Sequence, residues 1–219
     1  MGRDWLDTVW YRFFTASCRA FHGIYAPIEA YGVRHVPLNG RVLIVSNHQS
    51  LLDPFILAIT CPRRLFYAAK KEIFEIPIVG PAARSYGMFP VDRSRLDISA
   101  AKKALRILNQ EKALAILPEA TRSASGDLLP FTAGFVNVAI RSEAPVVPTS
   151  IVGSWRVWPK HRSFPRPGRI RIAYGEPMDL ADGIDGPITP EVQRTFGEQV
   201  RSLVSSLSES LESGHVGSS

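Results

Sequence analysis

The sequence predicts an α/β fold: a largely parallel central sheet flanked by helices, preceded by an N-terminal amphipathic helical segment. Three observations lead there. Apolar runs of strand length recur at 41–46, 86–91, 113–117 and 146–152. Stretches of helical periodicity alternate with them, at 55–59, 98–108 and 132–142, and this strand–helix–strand rhythm is that of crossover connections. The chain also has 219 residues, 45% apolar and 21% charged, which suits one α/β domain with a full core.

The elements follow in order. Residues 1–30 hold the amphipathic segment. Leu6, Val9, Trp10, Phe13, Phe14, Phe21, Ile24 and Tyr25 repeat at helical spacing, while Arg3, Asp4, Asp7, Thr8, Thr15 and Arg19 break the pattern with polar groups. Such a helix can pack on a core or lie among lipid headgroups, and its Trp, Phe and Tyr suit the second role. Residues 31–40 read as a short strand and a turn. The run 41–46 is a buried strand, and Pro54 marks the start of the short helix after it. Residues 63–72 form a second strand with basic flanks. Pro77, Gly80 and Pro81 cut 73–83 into short pieces, and 86–91 is a third strand. Ile98, Ala101, Leu105 and Leu108 mark a helix whose solvated face carries Lys102, Lys103 and Arg106. Strand 113–117, helix 132–142 and strand 146–152 come next, and Ile170 with Ile172 suggests an edge strand. Thr189-Pro190-Glu191 caps a final helix with Val192, Phe196, Val200, Leu203, Val204, Leu207 and Leu211 on one face. The body thus covers 31–212, and 213–219 reads as a disordered tail.

Charge narrows the partners. A formal net charge of +6 favours phosphates, anionic lipid surfaces, coenzyme A or nucleic acid. Between Trp155 and Arg171 stand six Lys or Arg and no acid. Cys18 and Cys61 form no CxxC, so neither a disulfide framework nor a structural zinc site is expected. No apolar run approaches the ~20 residues that span a bilayer, and no signal peptide is read at the N-terminus.

Chemistry collects at strand ends. His48 and Asp53 sit where the strand 41–46 gives way to a helix. Residues five apart on one helix point ~140° apart, so the two meet only if His48 is on the turn and Asp53 opens the helix. A carboxylate beside an imidazole then fixes its tautomer, and the free nitrogen can take a proton from a hydroxyl. Two further strand ends carry Asp92-Arg93 and Glu119 with Thr121, Arg122 and Ser123. In a parallel sheet such ends converge on one crevice, where arginine forks suit a phosphate. Taken singly, these groups also suit surface ion pairs.

Four motifs in order resemble those of the lysophosphatidic-acid (PlsC-like glycerolipid) acyltransferase family. They are Asn47-His48-Gln49-Ser50-Leu51-Leu52-Asp53, Gly87-Met88-Phe89-Pro90-Val91-Asp92-Arg93, Leu117-Pro118-Glu119-Ala120-Thr121-Arg122-Ser123 and Val146-Val147-Pro148-Thr149. The resemblance covers about 33–180 and implies an acyltransferase domain. It implies His48 as general base, Asp53 as its orienter, and direct attack of the acceptor hydroxyl on the thioester with no acyl-enzyme. It implies that Arg93 holds an acceptor phosphate, that Glu119 and Arg122 help to bind the acceptor, that Thr121 and Ser123 support that loop, and that Pro148 shapes the site wall. The donor would be acyl-CoA or acyl carrier protein, the acceptor lysophosphatidic acid, and the product phosphatidic acid. No cofactor, metal or nucleic acid is implied, and the enzyme would sit peripherally on the cytoplasmic face of an anionic membrane.

The sequence departs from the family's pattern at three places. Ala120 stands where Gly is usual, which is costly if the backbone needs a positive φ. Leu117 replaces an aromatic, and Thr132 stands where many relatives carry Lys. These changes leave room for another lysophospholipid, an aminolipid or a glycolipid as acceptor. A basic lipid- or nucleic-acid-binding module without chemistry would explain the charge, but not His48 with Asp53 at a strand end.

Overall fold

The structure is a computed structural model that describes residues 9, 11, 15–20, 22–77, 79–91, 98–182 and 186–214. Seven strands form one sheet in the order β1-β7-β6-β2-β5-β3-β4. They are β1 (Ile28–Tyr31), β2 (Val42–Ser46), β3 (Leu65–Lys70), β4 (Met88–Val91), β5 (Ala113–Ile116), β6 (Val146–Val152) and β7 (Ile170–Tyr174). The helices are α1 (Asp53–Thr60), α2 (Val79–Ser85), α3 (Ile98–Asn109), α4 (Gly134–Ser142), the single turn α5 (Ser154–Val157) and α6 (Pro190–Ser213). Neighbouring strands run parallel throughout, except where β7 meets β6 antiparallel. The sheet is therefore largely parallel, as the alternating pattern predicts.

Strand β2 lies at the centre, and all five of its residues are buried because both faces are covered. Val42 and Ile44 pack with Ile56 and Leu57 of α1 on one face. Leu43 and Val45 pack with Phe135 and Val136 of α4 on the other. Each such fully buried Leu or Ile contributes ~1.5–3 kcal/mol. The two faces expose the logic of the site. The β2-α1-β3 crossover steps over β5 in one direction, and β5-α4-β6 steps over β2 in the other. Adjacent strands β2 and β5 thus send their loops to opposite faces, which opens a crevice between their C-terminal ends.

Several expectations shift. The first strand is Ile28–Tyr31, not 31–40: Gly32, at φ 63°, turns the chain into a 3-10 turn at Val33–His35. Strand β7 is no edge strand, because β1 pairs with its far side. In α3 the buried positions are Ala104, Ile107 and Leu108, whereas Ile98 and Ala101 are exposed. In α6 Leu203 is exposed and Gly197 takes a place on the buried face. Thr189 Oγ1 does accept the Val192 N–H at 3.3 Å, capping α6 as expected. Helix α6 runs through Ser213, Gly214 closes it at φ 73°, and 215–219 lie outside the described residues.

The N-terminal segment is helical at 15–20 and 22–24. Leu6, Trp10, Phe13, Phe14 and Phe21 lie outside the described residues. Tyr11, Thr15 and His22 turn toward the body instead, with Thr15 and His22 buried. Tyr11 lies 5.3 Å from Tyr86, ring to ring, and the Arg64 guanidinium sits 5.0 Å above it. Val9 and Ile24, two members of the expected apolar stripe, are 44% and 88% exposed. Among the described residues, no helix is long and apolar enough to cross a membrane.

Candidate active site

The site begins where β2 ends. Asn47 continues the strand with its side chain: Nδ2 donates to the Ile151 carbonyl at 2.8 Å, and Oδ1 accepts the Ile151 N–H at 2.8 Å. The amide thus replaces a peptide group of the β2–β6 ladder and sets the direction in which His48 leaves the sheet. Asp53 is the first residue of α1, and Pro54 follows it in the first turn. His48 Nδ1–H donates to Asp53 Oδ2 at 3.0 Å. A carboxylate accepts, so this bond places the proton on Nδ1 and leaves Nε2 with a free lone pair.

Asp53 is fully buried. Its Oδ2 also accepts the backbone N–H of Gln49 at 2.7 Å and of Ser50 at 2.6 Å. The carboxylate therefore does not cap its own helix; it gathers the turn that carries the histidine. Ser50 Oγ accepts the Leu52 N–H at 3.2 Å and donates to the Trp158 carbonyl at 2.8 Å, tying this turn to the segment after α5.

The end of β5 faces it across the crevice. Glu119 is buried, and Oε1 accepts the His48 N–H at 2.8 Å while Oε2 accepts the Leu129 N–H at 3.3 Å. Burial pushes its carboxyl up to about 7; the two N–H donors pull the other way, and the Asp53 charge adds a smaller push upward. The Ser123 N–H donates to the His48 carbonyl at 3.0 Å, and Ser123 Oγ accepts the Gly126 N–H at 3.0 Å. Both backbone groups of His48 are thus held by the β5 loop. Ala120 stands in that loop at φ 57°.

The protein-family model described as "Acyltransferase" matches residues 27–152, which contain all four motifs.

The chain belongs to this acyltransferase family.

A 1-acyl-sn-glycerol-3-phosphate acyltransferase of Limnanthes alba is 33% identical over 183 residues, 82% of this chain and 64% of the relative. The chain therefore spans somewhat under two thirds of that protein. A 1-acyl-sn-glycerol-3-phosphate acyltransferase of Bacillus subtilis is 25% identical over 78% of this chain and 84% of its own length. The crystal structure of the 1-acyl-sn-glycerophosphate acyltransferase PlsC of Thermotoga maritima superposes with a TM-score of 0.73 at 27% identity, over 90% of this chain and 80% of that one.

Within this chain the expected residues divide into four groups. His48, Asp53, Glu119 and Ser123 come together through the bonds above. Thr121 and Arg122 lie on the same loop, Thr121 exposed with its Oγ1 3.5 Å from Lys160 Nζ, and Arg122 half-buried. Pro148 lies inside β6, paired with Val45; its carbonyl accepts the Gly175 N–H at 2.8 Å. Arg93 and Asp92 lie outside the described residues.

Two features escape the sequence reading. Gln49 Nε2 donates to the Gly126 carbonyl at 2.5 Å, a second clasp between the two loops. Beside Gln49 opens a groove of about 850 Å³, whose basic side is Arg156, Arg166, Arg169 and Arg171 and whose acids are Asp127 and Glu212. Arg171 is engaged, donating to the Leu211 carbonyl at 2.6 Å and lying 3.5 Å from Glu29. The run of basic residues hinted at the groove, but only folding adds Gln49 and α6 to it. Burial pushes the Cys61 thiol up to about 11, so it is not a nucleophile near neutral pH. Among the described residues, no group of three or more His, Cys, Asp or Glu is gathered to hold a metal.

Proposed function

We propose that this protein transfers a fatty acyl group from acyl-CoA or acyl carrier protein to the free hydroxyl of lysophosphatidic acid, giving phosphatidic acid. The observation that carries the reading is the buried His48–Asp53 pair at the crevice between β2 and β5, in a chain of the acyltransferase family. Asp53 holds the Nδ1 proton, so Nε2 is the base. It takes the proton of the acceptor hydroxyl as that oxygen attacks the thioester carbonyl carbon. The tetrahedral intermediate then breaks its C–S bond, and the thiolate leaves with the proton that His48 returns. Such a base contributes ~10²–10⁴ in rate. No acyl-enzyme forms, and the reaction uses no metal or bound cofactor.

Arg93 and Arg122 take the acceptor phosphate, the first by its place in the motif and the second by its place beside Ser123. The arginine groove next to Gln49 suits the donor's anionic handle. The enzyme works as a peripheral protein on the cytoplasmic face of an anionic membrane. Three observations favour an acceptor other than lysophosphatidic acid as the second reading. Ala120 puts a methyl group on a positive-φ corner of the acceptor loop. The hydroxyl of Thr132 donates to the Pro118 carbonyl at 2.8 Å, and its N–H does the same at 2.9 Å. That position therefore braces the loop and offers the acceptor no cation.

The test is thiol release from acyl-CoA in mixed micelles, with lysophosphatidic acid, with monoacylglycerol and without acceptor. Release that needs the phosphate-bearing acceptor and drops ~10²-fold or more in His48→Ala is the expected result. Equal release with both acceptors would remove the arginines as phosphate clamps. No release with acyl-CoA or with acyl carrier protein would end the reading.

A further inference from the structure

Two of the most exposed large apolar side chains lie far apart in sequence but on segments that are bonded to each other. Ile24, at the end of the N-terminal helical segment, is 88% exposed, and Phe164, in the loop between α5 and β7, is 80% exposed. The residues beside them are bonded: Tyr25 OH donates to the Pro165 carbonyl at 3.2 Å, and the Gly168 N–H donates to the Tyr25 carbonyl at 3.4 Å. Farther along the chain, the Ile170 N–H donates to the Pro27 carbonyl at 2.9 Å. Two exposed apolar tips thus stand on segments bonded to each other, neither folded inward although each would gain ~1.5–3 kcal/mol by burial.

Their surroundings are cationic. Lys160, Arg162 and Arg166 are exposed on the same loop, which has no acid from 155 to 171. The loop is also joined to the site. Its root accepts the Ser50 hydroxyl at the Trp158 carbonyl, 2.8 Å, and Lys160 reaches Thr121 of the β5 loop. The Trp158 indole N–H donates to the Arg162 carbonyl at 3.0 Å, which stiffens the loop from within.

We propose that Phe164 and Ile24 form a membrane wedge: they insert among the lipids of an anionic bilayer while Lys160 and Arg162 sit on its phosphates. Two apolar side chains inside a basic rim match an interface that is apolar at one depth and anionic just above. They present far less than the ~800 Å² per partner that a stable protein interface needs. The wedge places the crevice of His48 at the bilayer surface, so an acceptor lipid reaches it without crossing water. That last step rests on the acyl-transfer reading; the docking itself does not.

The experiment is co-sedimentation of the full chain with vesicles of phosphatidylcholine alone, and of equal parts phosphatidylcholine and phosphatidylglycerol. The wild type is expected to pellet with the anionic vesicles. Phe164→Asp and Ile24→Asp should each weaken this ~10-fold or more. Lys160→Gln with Arg162→Gln should remove most of the preference for anionic lipid, ~5-fold per charge. Because other parts of the N-terminal segment can hold the chain on vesicles, Phe164→Trp is examined with acyl-chain-brominated lipid. Tryptophan quenching beyond that of the wild type is expected, and quenching no greater than wild type would overturn the proposal. So would failure of the wild type to bind vesicles, or undiminished binding of the Phe164→Asp, Ile24→Asp double variant. Turnover of a micellar acceptor should survive Phe164→Asp. Vesicle binding without any turnover would overturn the acyl-transfer reading and leave the wedge standing.

Discussion

The turn after β2 and the loop after β5 leave adjacent strands and face one crevice, yet they are built in opposite ways. In the turn, Asp53 Oδ2 binds two backbone N–H groups and the imidazole, and the whole arrangement spans six residues, His48–Asp53. In the loop, the chain passes through a positive φ at Ala120, and exposed Thr121 and half-buried Arg122 point away from such order. The loop is fixed instead at its two buried points, Glu119 and Ser123, and both grip the backbone of His48. The contrast separates the duties. His48 is held by short-range bonds within its own turn, whereas the β5 loop is tied to that turn through the His48 backbone.

The largest effect should come from breaking the turn. In Asp53→Asn the amide oxygen can take the place of Oδ2 and keep its three donors, but the N–H₂ is then buried where Oδ1 has no partner, and the negative charge is lost. The imidazolium that forms as His48 takes the proton then has no counter-charge beside it. The kcat for acyl transfer should fall ~10²–10⁴-fold, with the acceptor KM changed far less. A fall under tenfold would mean that the pair is structural.

Next in size is the clamp between the regions. Glu119→Gln offers one acceptor oxygen where His48 and Leu129 present two N–H groups, so one donor is left buried and unpaired, at ~1–3 kcal/mol. Turnover should drop ~10-fold through a misplaced His48, most of it in kcat. The pH dependence gives an independent reading. Burial raises the Glu119 carboxyl above its ordinary value of 4.5 to about 7, so the folded state holds a proton that the unfolded chain has released. The associated stability is complete below the unfolded value and is lost as the pH climbs through about 7, at most ~3 kcal/mol. The wild-type Tm should therefore decline between pH 5 and 8 by more than that of Glu119→Gln. Parallel curves would show that Glu119 is ionised throughout.

The same contrast explains what the sequence made legible. Spacing alone decided little for His48 and Asp53; Pro54, which fixes the first turn of α1, and the four motifs in order made the pair legible. The alternation of buried strands and helices likewise settles the parallel sheet, since each unit is local. Long-range partners were not legible. Asn47 acts as a strand residue only because β6 lies beside it. Glu119 reads from its motif as an acceptor contact, yet both of its oxygens hold backbone. The edge position assigned to Ile170 and Ile172 failed because β1, more than 130 residues away, supplies the outer strand. In the N-terminal segment, periodicity found a stripe but could not say that Val9 and Ile24 of it turn outward.

The smallest effect probes the loop's strain. At φ 57° Ala120 carries a Cβ close to the following carbonyl, a cost of ~1–2 kcal/mol that Gly avoids. Gly in turn frees the unfolded chain, at ~0.4–1 kcal/mol. Ala120→Gly should therefore stabilise the protein by ~0.5–1 kcal/mol, a rise in Tm of ~1–4 °C. Ala120 is exposed and its neighbours hold the loop through backbone bonds, Thr121 N–H to Glu119 carbonyl at 2.7 Å and Ala120 N–H to Leu117 carbonyl at 3.3 Å. His48 and Asp53 should feel nothing, so kcat with the preferred acceptor stays within about twofold while the order of acceptor preference changes. If Tm rises and preference is untouched, the methyl group is strain alone and the acceptor is chosen elsewhere, which leaves Arg122 as the determinant to vary next. If kcat falls with it, the two regions are coupled through Glu119 more tightly than their separate bonds imply.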